Sequence, residues 1–229
     1  MIRYLLLVLL LAGCTRTAAE EPLRVAVAAN FRATLEKINL AYRVEGGPAI
    51  LLSSASTGVL ATQLRHGAPF DLFLSADHQT VVDLRRDGLG VEEACYAIGQ
   101  LALVGGDLSE LNDPRKSLAI ANPQTAPYGR AAAQVLSRPE LAAAAARKPV
   151  RGASVLQAYQ FWRAGAVDLA LVAASQAPAA QPIPGDWYAP LQQSLLVLHP
   201  SPATRAYLQW LGSDTVRQMI IDAGYLPCP

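Results

Sequence analysis

Four short stretches of this chain place Asn, Ser, Thr, Gly and Pro where an extended apolar run gives way to a helical pattern. They are Ala29-Asn30, Ser53–Gly58, Asn122–Gly129 and Gly152–Ser154. A helix start leaves N–H groups without partners and carries partial positive charge. Several starts aimed at one point hold an anion without any Lys or Arg. The side-chain amide of Asn30 and the hydroxyls of Ser56 and Thr57 add donors. None of the four junctions offers a carboxylate at the helix start. Such a set suits a fully ionised oxyanion, which only accepts hydrogen bonds; monohydrogen phosphate would also need an acceptor. Asn, Ser and Thr are equally the commonest N-caps, so any one junction fits a structural cap. Four of them in register are harder to assign to capping alone.

The elements that must position these junctions alternate. Leu23–Ala28 reads as a strand, and Phe31–Tyr42 carries apolar residues at helical spacing. Ala49–Leu52 and Phe70–Leu74 read as strands, Gly58–Arg65 and His78–Arg86 as helices. Tyr96–Val104 predicts one longer strand. A second alternating set follows: strand Leu118–Ala121, helix Gly129–Leu136, an Ala-rich helical stretch Leu141–Ala146, helix Val155–Arg163 and strand Leu169–Ala173. Gln176–Pro190 contains four Pro and predicts irregular chain. Ser194–Leu198 is a strand, and Ala203–Leu211 and Thr215–Ala223 are closing helices. Alternation with short loops predicts an α/β fold of mostly parallel sheets flanked by helices. Two sets predict two lobes, with crossings near residues 98–100 and 190–194 forming a hinge and the gap forming a ligand cleft. The expected division is residues 23–98 plus 192–229 in lobe 1 and 99–191 in lobe 2.

Of the 229 residues, 52% are hydrophobic and 16% charged, which excludes intrinsic disorder. A formal charge of +1 argues against a nucleic-acid partner. Residues 1–13 combine Arg3 with the apolar run Leu5–Leu11, too short to span a bilayer and matching an export signal. Leu11-Ala12-Gly13-Cys14 resembles a bacterial lipobox, which implies acylation of Cys14 and a membrane-anchored, exported lipoprotein. Residues 14–22 read as its tether. Cleavage leaves 18 basic against 18 acidic side chains. Export places Cys95 and Cys228 in an oxidising space, where they either form a disulfide or remain two buried thiols.

At the same junctions the chain resembles the periplasmic molybdate-binding proteins of ABC transporters. The matching pieces are VAVAANF at Val25–Phe31, ASTGVLATQLRHGAPFDLFLSAD at Ala55–Asp77, YAIG at Tyr96–Gly99, NPQTAPYGRAA at Asn122–Ala132, and SVLQAYQFWRAGAVDLALVAASQ at Ser154–Gln176. The closing SPATRAYLQWLGSDTVRQMIIDAGY is also similar to the family's end. The resemblance implies a two-lobed type II periplasmic binding protein with crossing hinge strands. It would close on tetrahedral molybdate or tungstate and deliver it to an ABC permease, without catalysis or a cofactor. Carried over, the oxyanion ligands are Asn30, Ser56, Thr57 and the main-chain N–H groups of Tyr128 and Val155, with no side chain ligating a metal. Some members carry Ser in the first loop where this chain has Asn30. Some place a Tyr hydroxyl where this chain has Ala173, which has no side-chain donor.

Other residues compete weakly. Asp71 and Asp77 flank a strand and fit caps better than a catalytic pair. His66, His78 and His199 have no ligand spacing to one another or to a Cys. There is no Gly-x-Ser-x-Gly elbow, and Ser53–Gly58 lacks the Lys of a phosphate-binding loop. The alternatives are a binding protein for sulfate or thiosulfate, and a secreted enzyme, for which only Asp77 and His78 could act as acid or base. A monomer is expected.

Overall fold

The computed structural model describes residues 21–144 and 146–229. The proposed signal and Cys14 lie outside the described residues. The first sheet contains β1 (Leu23–Ala28), β2 (Ile50–Ala55), β3 (Leu72–Ser75), β4 (Glu92–Gly99) and, from the far end of the chain, β10 (Leu191–Val197), in the order β2-β1-β3-β10-β4. The second contains β5 (Leu101–Val104), β6 (Leu118–Ala121), β7 (Val150–Gly152), β8 (Leu169–Ala173) and β9 (Gln181–Pro182), in the order β7-β6-β8-β5-β9. Each sheet has two parallel and two antiparallel pairings. The antiparallel ones arise where the chain crosses: β10 enters the first sheet and β5 the second against the direction of their neighbours.

The helices are α1 (Arg32–Val44), α2 (Thr57–Arg65), α3 (His78–Arg86), α4 (Pro127–Leu136), α5 (Val155–Arg163), α6 (Pro202–Leu211) and α7 (Asp214–Asp222). Strand side chains alternate between faces, and both faces of the first sheet are covered. Val25, Val27, Leu72 and Leu74 pack with Leu35 and Ile38 of α1, Tyr207 of α6 and Val216 of α7. Ala26, Phe73 and Leu196 pack on the other face with Leu60 and Leu64 of α2 and Val81 and Leu84 of α3. Burial on both sides is why these strands read as nearly continuous apolar runs. In the second sheet Leu103, Ile120 and Leu171 face α4, while Ala119, Ala170 and Val172 face Ala158 of α5. Gly46 and Gly88, at φ 88° and 81°, end the turns after α1 and α3 in the left-handed region open to glycine.

The predicted strand Tyr96–Val104 is two strands, β4 in one sheet and β5 in the other, with only Gln100 between them. β4 also starts earlier, at Glu92, through exposed Glu92 and Glu93. It is an edge strand, where charge is tolerated and the apolar signal fails. The edge strands β7 and β9 gave no sequence signal; β9 is two residues ending in Pro182, and an edge is where a sheet accepts proline. The Ala-rich stretch forms 3-10 turns over Pro139–Ala144, interrupted at Leu141.

The two crossings lie side by side, because β10 pairs with β4 from Leu191↔Gly99 onward. The carboxyl end is tied to the same place. Ile98 and Leu226 form a β-bridge, and Cys95 is disulfide-bonded to Cys228 with Cα atoms 6.1 Å apart.

Candidate functional site

The four junctions meet. Asn30, Ser56, Thr57, Tyr128 and Val155, drawn from both lobes, line one small cavity with Ala28, Ala29, Ala76, Ala126 and Pro127. Its space is about 200 Å³ including the mouth. All five named residues are buried.

Each junction is built locally. β1 runs into Ala29, whose N–H bonds the Ala55 carbonyl (2.9 Å), so the first loop is carried on the end of β2. Ser56 stands at the N-cap of α2, yet its hydroxyl accepts nothing from the helix. That oxygen is buried and has no partner among the described residues. Thr57 Oγ1 accepts the Ala76 N–H (3.0 Å), which leaves its own hydrogen free to donate. The Asn122–Thr125 turn leads to Pro127 in the first turn of α4, where a missing N–H costs nothing. Tyr128 follows it, and its N–H is among those a helix cannot satisfy internally. Ser154 caps α5 through the Gln157 N–H (3.3 Å), leaving the Val155 N–H over.

Among the described residues, no carboxylate lines the cavity. Asp77 serves elsewhere: one oxygen caps α3 at the Thr80 N–H (2.9 Å) and the other pairs with Arg130 of the opposite lobe. The lobes touch around the cavity. The Gly58 N–H donates to the Thr125 carbonyl (2.8 Å), and Ser175 Oγ donates to the Asn30 carbonyl (3.3 Å). A Cβ at position 58 would sit 2.9 Å from the Thr125 oxygen, so glycine permits that contact. The assembly offers uncharged donors and positive helix ends around a small, buried space. It can hold an anion that only accepts hydrogen bonds, and it has no acid or base for catalysis.

Asn30 departs from expectation. Its side-chain amide donates to Gln193 Oε1 (2.8 Å) and to the Tyr225 hydroxyl (3.2 Å), so it is not a free donor for a guest. The loop can instead offer main-chain N–H. Sequence reading missed the partners of Asn30. Gln193 on β10 is fully buried, and Tyr96 and Tyr225 lie against the same loop. The available signal was Gln192-Gln193-Ser194, three polar residues between the apolar Leu191 and Leu195–Val197. Burial pushes the Tyr96 and Tyr128 hydroxyls well above their ordinary range, and that of Tyr225 up to about 12, so all three remain protonated donors.

The remaining candidates are placed apart. Asp71 accepts the Arg24 N–H (2.8 Å). His66, His78 and His199 bond separate partners, and the described residues hold no group of three or more His, Cys, Asp or Glu that could bind a metal. Two larger hollows, one beside Tyr159 and Trp162 and one beside the disulfide, include none of the four junctions.

Residues 23–226 match the family model described as bacterial extracellular solute-binding protein. The chain is 36% identical to the molybdate-binding protein ModA of Azotobacter vinelandii, over 94% of this chain and 93% of that protein. It is 31% identical to the molybdate-binding protein ModA of Rhodobacter capsulatus, over 95% and 93%. Among solved structures, the Azotobacter vinelandii periplasmic molybdate-binding protein matches at a TM-score of 0.81 and 30% identity, over 90% of this chain and all of that one. The chain belongs to the bacterial extracellular solute-binding protein family.

Proposed function

We propose that this solute-binding protein captures molybdate, and tungstate with it, in the cavity ringed by Asn30, Ser56, Thr57, Tyr128 and Val155. The observation that carries the reading is the unpartnered, buried Ser56 hydroxyl in a two-lobed pocket without a carboxylate. A buried donor left unbonded costs free energy, and an oxyanion is the guest that would satisfy it. The relatives named for molybdate point to the same ion.

The mechanism is capture by closure. With the lobes apart, water solvates the helix starts. The oxyanion bridges them, the Gly58–Thr125 and Asp77–Arg130 contacts form, and water leaves. Each remaining bond then strengthens in the lower dielectric. Monohydrogen phosphate is disfavoured because its proton meets no carboxylate in the lining, and sulfate is separated by size. The loaded, monomeric protein docks on an ABC permease, held at the membrane by lipid on Cys14.

Isothermal titration of the protein without residues 1–13 tests the ligand. Molybdate and tungstate should bind tightly and sulfate weakly. Tight sulfate or thiosulfate binding without molybdate binding would reassign the ligand, and binding of no oxyanion would remove the reading. Cys14→Ala should move the exported protein from the membrane to the soluble fraction; an unchanged distribution would exclude the anchor.

A further inference from the structure

Gln193 occupies an unusual place. It lies on β10 where the chain returns to the first lobe, has no solvent exposure, and its side chain bonds groups from three other elements. Its Oε1 accepts from Asn30 Nδ2 (2.8 Å) and lies 2.8 Å from the Tyr96 hydroxyl. Its Nε2 donates to the Tyr128 hydroxyl (3.2 Å). Asn30 and Tyr128 belong to the pocket loops of opposite lobes. One carboxamide therefore joins both halves of the pocket from behind.

Two further features exist around that contact. The β10–β4 ladder has a bulge here: Gln193 faces Ala97 and Ser194 faces Cys95, leaving Tyr96 as the extra residue. In a regular ladder Tyr96 and Ala97 would point to opposite faces; a bulge re-aims such a side chain. This one lets Tyr96 reach the same amide as Asn30 does. Gly99 supplies the space. A Cβ there would lie 2.5 Å from Gln193 Nε2 and closer still to the Tyr128 hydroxyl.

We propose that Gln193 is a positioning residue for ligand capture, fixing the Asn30 loop and the start of α4 in one mutual orientation so that donors of both lobes converge on a single guest. It does not touch the guest. By occupying the Asn30 amide and the Tyr128 hydroxyl, it leaves main-chain N–H groups to face the cavity. The inference rests on the oxyanion reading above.

The test uses Gln193→Leu and Gln193→Glu in the protein without residues 1–13, titrated with molybdate, tungstate and sulfate at pH 5 and pH 8. Q193L removes all three bonds; Asn30 keeps Tyr225 and Tyr96 keeps the Ser75 carbonyl, but nothing then ties the two pocket segments together, and affinity should fall by about tenfold. Q193E, when protonated, keeps the shape and hydrogen-bonding capacity of the amide; when ionised it sets a negative charge behind the guest. Its affinity should be near that of the natural protein at pH 5 and fall steeply by pH 8. The other titratable groups that face position 193, Tyr96, Tyr128 and Tyr225, and the nearby Asp77 and His78, are present in both proteins, so the natural protein's own pH profile corrects for them. A purely structural role would lower melting temperature without creating this pH dependence. If Q193L fails to fold, the Q193E profile decides alone. Natural protein that binds an oxyanion while Q193E shows no added pH dependence, or folded Q193L binds equally well, overturns the positioning role only. Natural protein that binds none of the three ions overturns the oxyanion reading and this inference with it.

Discussion

The helices start in two ways. α3, α5, α6 and α7 open on Asp77, Ser154, Ser201 and Ser213, each accepting an N–H of its own first turn. α1, α2 and α4 open on Phe31, Ser56 and Ala126, and none has a side-chain cap. The three uncapped starts lie at the cavity, as does the capped start of α5 through Val155, whereas α6 and α7 contribute nothing to it. Ser56 and Ser213 make the contrast sharpest. Their backbones are nearly identical, φ −67° and ψ 151° against φ −69° and ψ 155°. Ser213 turns its oxygen back to the Val216 N–H; Ser56 does not. The same residue type in the same backbone thus closes a helix in one place and leaves a donor ready in the other. α5 lies between the two groups, capped at Gln157 yet still offering Val155.

The contrast can be broken in three ways. The largest effect belongs to Gly58→Val, whose side chain must push against the Thr125 carbonyl across the cleft. Affinity for molybdate should fall about a hundredfold in titration, the upper end of what overpacking costs; an unchanged value would mean that the lobes need not meet there. Next comes a pair. Ser56→Ala should weaken binding by about tenfold, through one lost buried donor, with no loss of melting temperature. Ser213→Ala should do the reverse, costing about 1 kcal/mol of stability with affinity intact. Equal melting losses in both variants would make Ser56 an ordinary cap. The smallest effect is Arg130→Gln. Its ion pair with Asp77 is half exposed on the Arg side, so affinity should change less than about fivefold, and the change should fade with added salt.

The alternating pattern made both lobes legible, because strands covered on two faces leave apolar runs that little else produces. Of the edge strands, β2 was legible and β4 only in part, since it begins with two glutamates, while the short β7 and β9 were not. The candidate site was legible only as a set of junctions, and Asn30, Ser56, Thr57, Tyr128 and Val155 line one cavity. Which donor each contributes was not. The role of Asn30 depends on Gln193, 163 positions away in the chain, and on a bulge at Tyr96 that only pairing reveals.

The first lobe is made from both ends of the chain. β10 separates β3 from β4 in its sheet, and α6, α7 and Tyr225 complete its core. A chain still being synthesised can hold every strand of the second sheet while the first lacks β10, the strand between β3 and β4. Assembly of the pocket must therefore wait for the last forty residues or so. Until then β3 and β4 have no strand between them, and the first sheet can hold only the β2-β1-β3 part of its order.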